Sequence, residues 1–510
     1  MLEARTLWEL VEKRAAETPD ARMVVDERGE SLTFGEYRAA AERAAAGIAA
    51  LGVGEGTVVS WQLPTWIESM VLVGALSRLG AIQNPILPIY REREVGFVVR
   101  QAKSRLLIVP PTFRGFDFEA MARGLAADVD GLEVLVCDRA LAEGDPASLS
   151  AFRSPGGDLP ARWVFYTSGT TSDPKGAQHT DASIAAAAMG TAHALTMTSE
   201  DHYALVFPLT HVGGIILLTL GLQVGSLNII DEAFNPATTI PLLQREGVTL
   251  AGAGTVFHLA YLKAQRENSG ERLFPNVRAF PGGGAPRPPQ LHHDLAKEFD
   301  GAGVVSSYGM TEAPIMTFPR IDDPDAVRAT TEGRPIRGME LKLITLEGKE
   351  AGPGEEGEIR AKGAVVMKGY LDSSLDADAF DEEGWFRTGD LGKRDIDGNI
   401  TITGRLKDII IRKGENISAR ELEEILFAHP KVGDVAVIGL PDRERGEMVC
   451  AVIEPPTDGG AISFDEMVAA CEAAGLMRQK IPERLEVVDK LPRNETLNKV
   501  LKYKLREQFS

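Results

Sequence analysis

The segment YTSGTTSDPKG, Tyr166 to Gly176, crowds glycines and small hydroxyl side chains in front of a single lysine, Lys175, directly after the apolar run ARWVF. Glycines let backbone N–H groups converge on an anion, serine and threonine add donors, and a lysine supplies a point charge. A strand that empties into such a loop is built to hold phosphate. A Walker loop would need Gly-Lys-Ser/Thr, whereas here Pro174 precedes Lys175 and Gly176 follows it, so the P-loop reading fails. GGGAPR, Gly282 to Arg287, has arginine where a dinucleotide fingerprint has its third glycine. Neither a serine-hydrolase elbow nor HExxH occurs.

On either side of this loop, short apolar runs alternate with helical patterns. TVVSWQLP, AIQNPI and RLLIVPP read as strands and TWIESMVLVGALSRLG as a helix; ARWVFYTSG, DHYALVFP, GVTLAGAG, VRAFPGGG and GVVSSYG continue the series. This alternation predicts layered α/β sheets, with ligands gathered beyond the carboxyl ends of the strands. Near residue 340 the texture changes to shorter alternating segments, as expected of antiparallel structure, and Asp397-Gly398 marks a hairpin. Helix patterns SARELEEILFAHP and SFDEMVAACEAAG and strand patterns DVAVIGL and MVCAVIEP follow. The expected architecture is a large N-terminal domain of layered α/β sheets plus a β subdomain, residues 1–405, and a small, mobile α+β C-terminal domain, residues 406–510.

At 510 residues two or more domains are the natural prior, and a formal net charge of −19 argues against a nucleic-acid or anionic-membrane binder. An anionic ligand must therefore meet a local positive patch. Cys137, Cys450 and Cys471 lie far apart without metal-binding spacing, so they read as buried thiols in a reducing, cytoplasmic compartment. The N-terminus has the helical period but lacks the uncharged core of a signal peptide. The uncharged stretch Val206 to Ile230 is long enough to test as a membrane span, but Pro208, His211 and its glycines make a buried strand, turn and helix the better reading.

PLTHVGG around His211, SSYGMTE from Ser306 to Glu312, GWFRTGD ending at Asp390 and GRLKDIIIRKGENI from Gly404 then stand in order behind the first loop. Together the five motifs resemble the adenylate-forming superfamily, in particular its acyl-CoA synthetases, over almost the whole chain. The resemblance implies ATP, Mg2+ and CoA as ligands of a small-molecule carboxylic acid ligase, and leaves a homodimer open. It implies that Ser168, Gly169, Thr170, Thr171 and Lys175 order the β- and γ-phosphates, that Thr311 is a phosphate contact, and that Glu312 is the metal-binding carboxylate. Tyr308 would lie against adenine, Gly283, Gly284 and Ala285 would line the nucleotide and acyl pocket, and Asp390 with Arg405 would hold the ribose. Lys407 matches the hinge, Gly414 flanks the thiol channel, and Lys499 matches the adenylation lysine.

Between Lys490 and Ser510 six Lys/Arg face two Glu, a positive tail on an acidic chain. Two departures from the family pattern stand out: Asn498 precedes Lys499 where glycine is usual, which brings Lys502 and Lys504 in as alternatives, and Ser172 replaces a loop glycine. No aspartate occurs between Val206 and Ile230 to pair with a substrate ammonium. The expected acid is therefore apolar away from its carboxylate: medium-chain, alicyclic or aromatic. His211 would be a pocket wall or carboxylate orienter, with Gly213 and Gly214 leaving room for a ring or chain. The rival readings are an acyl-AMP ligase that loads a carrier protein and a non-catalytic acyl-adenylate sensor.

Overall fold

Trp163, Val164, Phe165 and Tyr166 are all buried, as a strand covered on both faces requires. In the computed structural model, which describes every residue except 168–173, 269, 285–286, 413–414, 444, 458 and 494–499 and the side chains of 415 and 416, this strand is Trp163–Thr167. It pairs in parallel with Ile82–Pro85 and antiparallel with Lys175–His179. The full sheet has seven strands in the order Gly369–Tyr370, Lys175–His179, Trp163–Thr167, Ile82–Pro85, Val58–Trp61, Leu106–Val109, Glu133–Val136. A second sheet sets His202–Leu205, Leu227–Ile230 and Arg22–Val25 in parallel, with Ser31–Thr33 antiparallel at the edge. A third runs Phe280–Gly283, Val304–Met310, Ala313–Phe318, Arg334–Pro335.

The expected strand GVTLAGAG makes only single bridges, Leu250 to Tyr203 and to Ala279. Those bridges link the second and third sheets, and two glycines beside Leu250 keep the segment from extending as a regular strand. The uncharged stretch forms the helix Val212–Val224 and the strand Leu227–Ile230. The helix is buried nearly all round and is closed by Gly225 at φ +88°. Among the described residues no helix is long and apolar enough to cross a membrane. Cys137, Cys450 and Cys471 are buried and free.

By packing, the described residues divide into two compact units: those of 1–167, 174–340 and 361–384 form the first, and those of 341–360 and 385–510 the second. The first carries the three sheets above. In the second, Phe386–Arg394 and Ile400–Arg405 form the hairpin expected at Gly398, which has φ +87°. A five-stranded sheet then orders Glu415–Ser418, Ile409–Arg412, Gly446–Glu454 and Asp434–Asp442, with Arg484–Val487 parallel to Gly446–Glu454. Helices Ala419–Phe427 and Phe464–Ala473 cover it around Leu422, Leu426, Val437, Ala451 and Met467. The fold is mixed α/β with a small α+β C-terminal domain, as expected; the boundary anticipated at Arg405 to Lys407 lies inside the second unit.

Candidate active site

The strand Lys175–His179, immediately after the phosphate-type loop, has Gly369–Tyr370 as its outer neighbour, with Ala177 opposite Tyr370. Flanking amides extend the pairing: Lys368 N donates to Gln178 O at 2.9 Å and Leu371 N to Gly176 O at 2.7 Å. This fixes Tyr370, whose hydroxyl donates to Glu312 Oε1 at 2.8 Å. Lys175 Nζ stands 5.4 Å from the centroid of the same ring, a cation–π distance. Burial, together with the Glu312 charge, raises the Tyr370 phenol far above its ordinary value, so Tyr370 is a permanent donor. Two expected residues, Lys175 and Glu312, thus meet through a tyrosine that sequence reasoning missed.

Thr311 and Glu312 sit at the turn between Val304–Met310 and Ala313–Phe318. The turn is tight: a Cβ on Gly309 would lie 2.3 Å from Ile315 N, and Ile315 takes φ +74°, a region that β-branched residues avoid. His179, also missed, is fully buried and its Nε2 donates to Thr311 O at 2.8 Å, while Nδ1 lies 3.1 Å from Ser183 Oγ. Burial lowers its pKa to about 4, so it is a neutral prop beneath the turn. A signal existed in KGAQH, where His179 falls on the same strand face as Lys175 and Ala177.

His211 caps the helix Val212–Val224, its Nδ1 accepting from Gly213 N at 3.0 Å. It lines a pocket with Thr311, Thr210, Tyr90, Phe165 and Tyr166. Gly214 does not open room for a ligand: a Cβ there would meet Leu209 Cα at 2.6 Å, so its missing side chain accommodates the protein's own backbone. At Gly213 the nearest atoms are His211 Nδ1 and Phe207 at 3.2 and 3.4 Å.

Gly283 lies opposite Ser307 in parallel pairing, where a Cβ would be 2.6 Å from Ser307 Oγ. Gly284 follows at φ +76°, where a Cβ would meet nothing within 4 Å among the described residues. Tyr308 is buried, 7 % exposed. Beneath this strand a further missed histidine, His258, is buried with Nε2 on Pro281 O at 3.1 Å, and burial lowers its pKa to about 3.

In the second unit Asp390 lies across from Arg405, whose Nε is 2.8 Å from Asp390 Oδ1. Lys407 occupies a short 3-10 turn, Leu406–Asp408, and burial, aided by Arg405, lowers its pKa. Asp408 pairs with Arg506 at 3.1 Å, and Lys502 with Glu423 at 2.8 Å. Ser168, Gly169, Thr170, Thr171, Ser172, Ala285, Gly414 and Lys499 lie outside the described residues. Among the described residues no group of three or more His, Cys, Asp or Glu gathers as a metal site. A lone carboxylate such as Glu312 suits Mg2+, which keeps waters and phosphate oxygens for its remaining positions.

Known proteins resemble this chain over nearly its whole length. A family model described as AMP-binding enzyme matches residues 11–371, and one described as AMP-binding enzyme C-terminal domain matches residues 421–497. The chain is 32% identical to a medium-chain fatty-acid–CoA ligase of Escherichia coli over 98% of its own length and 89% of that protein's. It is also 32% identical to a salicyl-AMP ligase / salicyl-S-ArCP synthetase of Mycobacterium tuberculosis, over 96% of this chain and 88% of the other. ATP-bound MatB from Rhodopseudomonas palustris superposes with a TM-score of 0.87 at 27% identity, covering 98% of this chain and 99% of that one.

Proposed function

The chain belongs to the AMP-binding enzyme family, in its acyl-CoA synthetase branch, and on that premise we propose that it joins an apolar medium-chain, alicyclic or aromatic acid to CoA in two steps. A carboxylate oxygen attacks the α-phosphorus of ATP; its bond to phosphorus forms as the bond to pyrophosphate breaks. The CoA sulfur then attacks the acyl carbon, losing its proton, and AMP departs. No covalent enzyme intermediate is needed.

One observation carries this reading: Lys175 and Glu312 meet at Tyr370, while Thr311, next to Glu312, shares a pocket wall with His211. A cation for phosphate, a carboxylate suited to Mg2+ and a site for the acid are thereby adjacent. On this reading Lys175 and the 168–171 loop hold the β- and γ-phosphates, and Thr311 contacts phosphate. Gly283, Gly284, Ala285 and Tyr308 take the adenine side, Asp390 and Arg405 the ribose, and Gly414 the thiol path. Mg2+ bound at Glu312 would supply charge neutralisation on the phosphates. Lys499 would stabilise the charge that develops at the α-phosphate, and residues 406–510 would swing about Lys407 between the two steps. A reducing, cytoplasmic setting fits the three free buried thiols.

The test is mass spectrometry of products after incubation with Mg-ATP, CoA and a panel of fatty, alicyclic and aryl acids. An acyl-CoA with stoichiometric AMP is expected. Acyl-AMP without thioester would replace CoA by a carrier protein as the acyl acceptor, and neither product from any acid would overturn the ligase.

A further inference from the structure

Gln62, just past the strand Val58–Trp61, donates its side-chain amide to Leu87 O at 2.9 Å and Tyr90 O at 3.0 Å. Tyr90 N closes back on Leu87 O at 3.0 Å, and the Arg91 guanidinium donates to Pro88 O and Tyr90 O. Leu87 to Tyr90 is therefore a locked turn. Its tyrosine lines one pocket with Thr210, His211 and Thr311, together with the apolar side chains of Ile86, Val98 and Phe165.

The hydroxyls of two residues that line this pocket, Tyr90 Oη and Thr210 Oγ1, are shut off from solvent and have no hydrogen-bond partner among the described residues. Thr210 is 2 % exposed. Burial lifts the Tyr90 phenol to about 12, so at neutral pH it carries a proton to donate. A buried hydroxyl left without a partner costs about 1–3 kcal/mol, so a ligand atom that pairs with it is favoured. Here two share one pocket whose remaining walls are mostly apolar. An unsubstituted acyl chain leaves both unpaired on binding, whereas an oxygen atom on the ligand satisfies them.

We propose that Tyr90 and Thr210 are specificity-determining residues that form a polar subsite for an acid bearing a hydroxyl or keto oxygen on an otherwise apolar body. The inference rests on the ligase reading above and narrows its acid class. His211 and Thr311 line the same pocket, which puts the subsite at the reacting end of the acid, so the oxygen is borne within the first few carbons from the carboxyl group.

The test compares matched acids, octanoate with 3-hydroxyoctanoate and benzoate with 2-hydroxybenzoate, by acid-dependent pyrophosphate release with hydroxylamine trapping. The wild type is expected to favour the oxygenated member of at least one pair by about tenfold or more in kcat/KM, since sites built around a hydrogen bond reject the analogue that lacks it. Tyr90→Phe with Thr210→Val should bring that ratio to about one, and Thr210→Ser with Tyr90 intact should keep it. Because the readout is a ratio within each variant, general damage to the protein cancels. Equal use of both members of each pair by the wild type, or a preference that survives in the double variant, overturns the assignment. So does an effect confined to the thiol step with supplied acyl-adenylate, which would give the hydroxyls to the thiol acceptor. No adenylate from any of the four acids or from the wider panel would instead bring down the ligase reading, and this inference with it.

Discussion

The Tyr370 hydroxyl donates to Glu312 Oε1 at 2.8 Å, across 58 residues of sequence. On the proposed role of Glu312 as the Mg2+ carboxylate, the bond leaves the second carboxylate oxygen and the remaining lone pairs for the cation, and it fixes which way the carboxylate points. Groups that orient a metal-binding side chain typically contribute 10–100-fold to affinity or activity. Tyr370→Phe should therefore raise the Mg2+ concentration for half-maximal adenylation by about tenfold, with the circular dichroism spectrum unchanged. A variant with altered activity at saturating Mg2+ but the same half-maximal concentration would detach Tyr370 from the metal.

Asp390 is nearly enclosed, its side chain 5 % exposed, whereas that of its partner Arg405 is 44 % exposed. An ion pair with one exposed member adds at most about 1 kcal/mol to stability. Hydrogen bonds to a charged group are worth about 1.5–3 kcal/mol. Asp390→Asn should thus barely shift the urea midpoint yet raise the KM for ATP by about tenfold or more. A matched substrate, 2′-deoxy-ATP, should lose far less affinity in the variant than ATP does, because one of the partners is already gone.

How much of this site was legible in the sequence follows the range of the interactions. Lys175 stands in a loop whose composition announces a phosphate, while Thr311, Glu312, Asp390 and His211 stand in short motifs that resemble those of a known family. Asp390 and Arg405 are 15 positions apart in one hairpin, so their pairing follows from the turn at Asp397-Gly398. Tyr370 was hidden because its place depends on an edge strand laid against Lys175–His179 across a gap of 192 residues. Tyr90 and Thr210 were hidden for the same reason. The segment around Leu250 misled in the opposite direction: β-forming residues there make bridges and no ladder. Gly214 read as space for a ligand, yet only the fold shows that Leu209 takes that space.

Gly309 and Gly284 separate two reasons for glycine. At Gly309 a methyl group would collide with Ile315 N at 2.3 Å, within the hairpin that carries Thr311 and Glu312, so Gly309→Ala should cost about 1–3 kcal/mol and depress adenylation. At Gly284 nothing among the described residues lies within 4 Å, and the φ of +76° opposes a side chain, at about 1–2 kcal/mol. Urea titration with a parallel adenylation assay should show Gly309→Ala impaired in both, and Gly284→Ala in stability with its pocket geometry preserved. Identical losses of activity per kcal/mol would remove the distinction.

His179 makes stability depend on pH in a defined direction. Burial holds its folded-state pKa at about 4 against an ordinary value of 6.5, so the folded protein favours the neutral ring. The stabilisation is complete above about pH 6.5 and is lost as pH falls toward 4, because the unfolded chain takes up a proton that the folded one refuses. The slope is about 1.4 kcal/mol per pH unit for one such group. The stability difference between wild type and His179→Gln should be flat from pH 7 to 8 and shrink below pH 6.5. A difference independent of pH down to 4.5 would show that His179 titrates normally in the fold.

The contacts of the tail bear on a competition among lysines. Lys502 is 17 % exposed and tied to Glu423 at 2.8 Å, Arg506 is tied to Asp408, and Arg493 bridges to Val500 in antiparallel pairing. The residues just outside the 494–499 segment are thereby anchored to the second unit, and Lys502 has its charge answered locally. Lys499 is then the better candidate to meet charge developing on the α-phosphate, a contribution worth about 100- to 1000-fold when one such donor is removed. Lys499→Ala should lose adenylation by about that factor while converting supplied acyl-adenylate and CoA to thioester at a rate near that of the wild type. Lys502→Ala should lower the urea midpoint and affect both half-reactions alike. If Lys502→Ala instead abolishes adenylation alone and Lys499→Ala does not, the catalytic role passes to Lys502, and its pairing with Glu423 belongs to the thiol-accepting arrangement.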